Sequence, residues 1–256
     1  MIIQPMTECY IHLDCLHDGP VESSSPPSRK PELWQNAPGL PPRPWSDRVL
    51  SDVAQQYTNI SEGWRGEPAR EFMREMIARY GTCAILAWNE HQVIGQLRFY
   101  PLDIAQLLAR SDPVKQMAPA FSAFRFQPDA HTLWVQCVMT TKPYITIEEA
   151  RQVHARIGVG QKLVRGLITW ARERDWQQIV KYAHADIVAM YGQYGGGGKA
   201  FWEKAGFQVI GRYPYDTGEG WVAQSSEWRE IVESQAQAQG ITIEDAWTWY
   251  AMAYDL

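Results

Sequence analysis

Arg156-Ile157-Gly158-Val159-Gly160-Gln161-Lys162-Leu163 is the stretch on which the reading of this chain turns. Its two glycines sit where a helix-periodic run begins, with Leu163, Leu167, Ile168 and Trp170 on one side and Lys162, Arg165, Arg172 and Glu173 on the other. The first N–H groups of a helix have no intrahelical partner, and glycines leave them uncovered. The positive end of the helix dipole adds to them, so the place suits an anion, most naturally a phosphate. A Gly-x-Gly at a helix start also fits a plain tight turn, so the flanking sequence has to decide.

Upstream, Leu133 to Met139 is an apolar run of strand length. Before it, Cys83–Trp88 and Gln92–Phe99 flank Asn89-Glu90-His91, a hairpin signal. A helix through Phe72, Met73, Met76 and Ile77 is expected to stop at Gly81, and another to follow Ser46 through Val49, Leu50 and Val53. Ile2-Ile3 and Tyr10-Ile11-His12-Leu13 each read as a short strand. Downstream come a strand from Ile179 to Ala185, the run Gly195 to Gly198, a helix through Phe201 ending at Gly206, and strands Gln208–Tyr213 and Trp247–Tyr254. Thr146-Ile147-Glu148-Glu149 has the form of a capping box. The look-alike hexads at Ile145 and Ile241 read as two helix starts, being far too short for a repeat.

At 256 residues the chain can bury a full core. Its 45% apolar and 21% charged residues are ordinary globular values. A net charge of −5 argues against a general nucleic-acid binder, which needs a basic face. No apolar run approaches the roughly 18–20 residues that span a bilayer, and the N-terminus lacks the basic flank and long apolar core of a signal peptide. Four cysteines are not a disulfide framework, so a cytoplasmic protein with reduced thiols is expected. Cys9, His12, Cys15 and His17 match none of the usual zinc spacings; with Ile11, Leu13 and Leu16 alternating, the segment reads as an edge strand, and no metal is expected. The Pro- and Ser-rich segment between Pro20 and Pro44 reads as an extended arm, giving an N-terminal arm over residues 1–44 and a body over 45–256.

Ala200-Phe201-Trp202-Glu203-Lys204-Ala205-Gly206-Phe207 follows the glycine turn by some forty residues. The two segments together resemble the signature segments of the GNAT superfamily of acyl-CoA-dependent N-acyltransferases. The resemblance covers residues 45–256, with insertions near 101–130, 140–155 and 214–246. It implies an α/β fold, a mixed, mostly antiparallel sheet of about six to seven strands flanked by about four helices. The sheet would be splayed between the fourth and fifth strands, here Leu133–Met139 and Ile179–Ala185. The family's loop, Arg/Gln-x-x-Gly-x-Gly/Ala, is met at Gly158 and Gly160, while Ala155 takes the leading place and Arg156 stands one later. By resemblance, Arg156, Ile157, Gly158, Val159, Gly160, Gln161 and Lys162 hold the pyrophosphate of acetyl-CoA or another acyl-CoA. The backbone of Cys137, Val138 and Met139 pairs with the pantetheine arm.

The implied activity is transfer of an acetyl group from acetyl-CoA to a primary amine by direct attack, the amine belonging to a small molecule before a protein. The rival is a catalytically silent module that binds CoA or a partner protein. No nucleic acid or membrane partner is expected, and a homodimer is left open. Where the family helix reads Phe/Leu-Tyr-x-x-x-Gly-Phe, with the Tyr often protonating the thiolate, this chain has Trp202, whose indole is no proton source near neutral pH. A glutamate frequent near the start of the central strand is replaced by Leu133 and Trp134. His184 and Asp186, two apart on the fifth strand, are the local substitutes for acid–base work, with Tyr191 next. Cys137 reads as a core thiol, since nothing near it in sequence lowers its pKa.

Overall fold

The computed structural model describes residues 1–11, 21–22, 67–90, 92–105, 131–140, 158–190, 197–214 and 226–256. Eight strands among these form one sheet: β1 (Ile2–Pro5), β2 (Val21–Glu22), β3 (Ala84–Asn89), β4 (Gln92–Pro101), β5 (Thr132–Met139), β6 (Gln178–Ala183), β7 (Gln208–Pro214) and β8 (Thr248–Asp255). The spatial order is β1-β3-β4-β5-β6-β8-β7, with β2 paired to the start of β4. Every pairing is antiparallel except β5 with β6. The mixed, mostly antiparallel sheet is as expected, with one strand more than expected because β2 joins it.

Alternation explains why these runs are strands that bury both faces. Ala84, Leu86, Trp88, Trp134 and Cys137 enter one core together with Phe72, Met73 and Met76 of α1 (Glu67–Tyr80). Ile85, Ala87, Leu97, Val135 and Val138 enter the opposite core with Leu163, Leu167 and Trp170 of α2 (Val159–Arg172). Each fully buried Leu, Ile or Val stabilises by about 1.5–3 kcal/mol. α2 lies very close to the sheet: a Cβ on Gly95 of β4 would stand 2.7 Å from Val159 Cγ1 and 3.0 Å from Leu163 Cδ1.

α3 (Lys199–Lys204) shares the α2 face through Trp202, which is fully buried between the edges of Phe201 and Phe207. Within the insertion expected near 214–246 lie α4 (Ser226–Ala238) and α5 (Ile243–Ala246). Thr242 caps α5 by accepting the Asp245 N–H at 3.0 Å, so the second hexad is indeed a helix start. α4 and α5 build a small core of their own, in which Trp228, Val232, Ala236 and Trp247 pack with Ala185, Ile187 and Met190, just beyond β6.

Two local expectations need correction. Glu8–Tyr10 form a 3₁₀ turn with Ile11 as its end, where a strand from Tyr10 was expected; Tyr10 and Ile11 turn inward to the α1 core. The strand expected to reach Ala185 stops at Ala183. The helix expected after Ser46, the capping box at Thr146 and the segment from His12 to His17 lie outside the described residues.

Candidate functional site

β5 and β6 run parallel, and their ladder holds for three pairs only: Thr132 with Gln178, Leu133 with Ile179, Trp134 with Val180. β5 then continues to Met139 and β6 to Ala183 with no further pairing between them. The cause is visible in the β4–β5 register, where Arg98 faces Cys137 but Phe99 faces Val135. Gln136 is therefore the extra residue of a bulge, and a bulge bends its strand and raises the twist. The result is the gap between fourth and fifth strands that the resemblance implies. Cys137, Val138 and Met139 form its β5 wall; all three are buried, and their pairing with β4 leaves the other edge of the strand toward β6.

The first turn of α2 stands at the mouth of this gap. Gly160 is set against Thr140, which follows β5, and against the Phe201 ring of α3. Gly158 has φ of 69°, a left-handed conformation that glycine takes without strain. It has no side chain with which to cap the helix, and a Cβ there would meet nothing within 4 Å. The first intrahelical bond runs from the Lys162 N–H to Gly158 O at 3.1 Å. The N–H groups of Val159, Gly160 and Gln161 come before that ladder and face outward at the positive end of the dipole. Gln161 ties α2 to α3, its Nε2 donating to Phe201 O at 2.6 Å. Lys162 is exposed beside them. This donor set fits a phosphate, and the gap fits an extended chain that pairs through main-chain bonds. Arg156 and Ile157 lie outside the described residues.

The candidate acid–base residues fall past the end of β6 and have different neighbours. His184 is 3% exposed, its ring centroid 3.9 Å from that of Trp249. Burial first, and the Lys181 charge second, hold its pKa well below the ordinary value, so the imidazole is neutral. Asp186 is turned elsewhere: both carboxylate oxygens accept the Ala200 N–H, at 3.0 and 3.1 Å, which fastens the first turn of α3. Tyr191 lies outside the described residues. Trp202 donates its indole N–H to Gly197 O at 3.0 Å, so the residue in the family's tyrosine place secures the glycine turn before α3. Trp134 and Trp228 are core residues.

Sequence reasoning passed over Lys181. It is 6% exposed in the middle of β6, and its Nζ donates to Gln136 O at 3.0 Å, crossing the gap at the bulge. The signal was present in Ile179-Val180-Lys181-Tyr182-Ala183, a lone cation in a strand buried on both faces. On the side of α3 away from Phe201, a cavity of about 550 Å³ is lined by Asp186, Lys199, Glu203, Arg212, Asp245 and Tyr250 among others. Four of its charges stand in pairs, Lys199 with Glu203 at 3.4 Å and Arg212 with Asp245, and Asp186 adds a further carboxylate.

Comparison with known proteins finds no matching family model and no matching curated protein. Solved structures of similar shape include a ribosomal-protein-alanine N-acetyltransferase from Brucella melitensis, 15% identical over 100% of both chains with a TM-score of 0.42. An aminoglycoside 6'-acetyltransferase type Ii is 11% identical over 100% of this chain and 97% of that one, with a TM-score of 0.40. A GNAT-family acetyltransferase from Streptococcus pneumoniae is 10% identical over 84% and 98%, with a TM-score of 0.41. The functional reading of this chain rests on its own geometry.

Proposed function

We propose that the chain is an acyl-CoA-dependent N-acyltransferase that moves an acetyl group from acetyl-CoA to a primary amine of a small molecule. The observation that carries this reading is the β5–β6 ladder, which stops after three pairs at a bulge and opens toward the uncapped first turn of α2. The N–H groups of Val159, Gly160 and Gln161, with Gly158, Lys162, Arg156 and Ile157, take the pyrophosphate; the β6-facing edge of Cys137–Met139 takes the pantetheine arm. The neutral amine attacks the thioester carbonyl directly, the C–N bond forms and the C–S bond breaks. Backbone donors of the bulged strand stabilise the oxyanion, the kind of contribution that makes fixed donors effective in a site shielded from water. His184, neutral and close to the end of β6, is the proposed acceptor of the amine proton. Asp186 enters as a positioning residue, through α3, and Tyr191 as a further candidate proton carrier. The cavity beyond α3, with more carboxylates than cations, fits a small amine better than a polyanion.

A second reading keeps the binding and drops the chemistry: a silent module for CoA or a partner protein. It is favoured by one observation, that Trp202 takes the place of the expected tyrosine and has its N–H engaged by Gly197. Thiol release from acetyl-CoA, followed across pools of small amines, peptides and amine-free controls, separates the two. Amine-dependent release supports the acyltransferase; calorimetric binding of CoA with no release from any pool supports the silent module. A Gly158→Val variant, forced into a left-handed conformation that β-branched residues resist, is expected to lose CoA affinity at least tenfold. Unchanged affinity in that variant contradicts the acyl-CoA reading and the CoA-binding form of the silent module.

A further inference from the structure

Lys181 is the buried cation whose place in the fold no structural need explains. Burying an ammonium costs several kcal/mol even after relaxation. A strand needing only to fill this space would carry Leu or Met, and exchanging buried charges for apolar groups of similar size is often neutral or stabilising. No carboxylate meets Nζ among the described residues. Among the described residues its hydrogen bond goes to the Gln136 carbonyl, and the Trp134 ring lies 5.6 Å away. One of three N–H donors is engaged there. The position is equally particular. Val180 is the last residue of β6 paired to β5, and Lys181 is the next, so the ammonium stands at the root of the gap, against the bulge that opens it.

We propose, resting on the acyl-CoA reading above, that Lys181 is the proton donor to the departing thiolate of CoA. As the tetrahedral adduct collapses, the C–S electron pair goes to sulfur, and sulfur takes a proton from Nζ. The proton shed by the attacking amine, accepted first by His184, passes through solvent to neutral Lys181, and the products are the amide and CoA thiol. Burial brings the Lys181 pKa down to about 8. A thiol titrates near 8.5, so the transfer is close to balanced and an acid of this strength suits it. The titratable groups facing Lys181 are the Cys137 thiol from β5 and the neutral His184 imidazole beyond β6; β8 offers only Met252 opposite it in register. Because Trp202 is no proton source, this assignment supplies the acid that the α3 sequence lacks.

The test reads the thiol of bound CoA, without any acceptor amine. CoA and its desulfo analogue are bound to the full chain, and the difference in thiolate absorbance is titrated with pH. The wild type is expected to hold the bound thiol below its free value, Lys181→Met to raise it by roughly 1–2 units, and Lys181→Arg, which keeps the charge, to leave it low. Nitrogen-15 NMR of the lysine Nζ in the wild type gives a second readout. The Lys181 signal, assigned by its loss in Lys181→Arg, should titrate higher with CoA than with desulfo-CoA. Identical thiol titration in wild type and Lys181→Met, or an Nζ indifferent to the sulfur, overturns the Lys181 assignment and leaves the acyl-CoA reading standing. Absence of CoA binding to the wild type overturns the acyl-CoA reading, and the assignment with it.

Discussion

His184 joins burial, a charged neighbour and an aromatic wall in one residue. It is 3% exposed beside Trp249, and both burial and the Lys181 charge depress its pKa. In the unfolded chain the imidazole titrates near 6.5, in the folded chain well below that. Between the two values the unfolded state binds the extra proton, so stability falls as pH drops below about 6.5. A His184→Gln variant is therefore expected to show a flatter loss of stability below about pH 6.5 than the wild type, read from urea midpoints. If His184 also takes the amine proton, the same variant loses at least tenfold in kcat/KM per folded molecule with CoA affinity unchanged. Parallel acid limbs in the two proteins would contradict the buried neutral imidazole, and full turnover would remove His184 from the chemistry. Asp186, two residues on, holds α3 by its backbone, which period-two alternation along a strand does not reveal once the strand has ended at Ala183.

α2 is the element that joins the fold to the site. Its buried stripe of Leu163, Val164, Leu167, Ile168 and Trp170 fixes it on the sheet, and its first turn then stands at the mouth of the β5–β6 gap. One of its closest approaches is at Gly95, where any side chain meets Val159 and Leu163. Gly95→Ala is expected to destabilise by about 1–3 kcal/mol, an overpacking effect, lowering the urea midpoint at constant m. Because Val159 lies in the turn assigned to the pyrophosphate, CoA affinity should weaken in the same variant. An unchanged midpoint would mean that α2 has more room than its distance from β4 indicates. This helix was legible in the sequence, since the 3.6-residue stripe and the two glycines mark its body and its start. The β3–β4 hairpin was legible too, because two apolar runs of strand length flank Asn89-Glu90-His91.

Across the whole molecule, chain order and spatial order part company, and that is where sequence reading ended. β8, last in the chain, lies between β6 and β7, and β1, first in the chain, pairs with β3. Long-range pairing of this kind depends on which faces bury together, and local periodicity carries no record of it. The gap was foreseen only through resemblance: the bulge at Gln136 has no mark in Leu133–Met139, and Lys181 in an apolar run reads as a surface residue until its burial is seen. The charge carried into the interior at that point has its own pH signature. With a folded pKa of about 8 against an unfolded value of 10.5, Lys181 makes stability rise between those pH values, where the unfolded chain alone holds the proton. The central claim is that an acyl-CoA lies along β5 with its pyrophosphate on α2, and a crystal structure of the CoA complex tests it most directly. The account expects the pantetheine arm bonded to the backbone of Cys137–Met139 and the pyrophosphate over the N–H groups of Val159–Gln161. CoA seated elsewhere, such as the charged cavity beyond α3, with the β5–β6 gap left free, would contradict it.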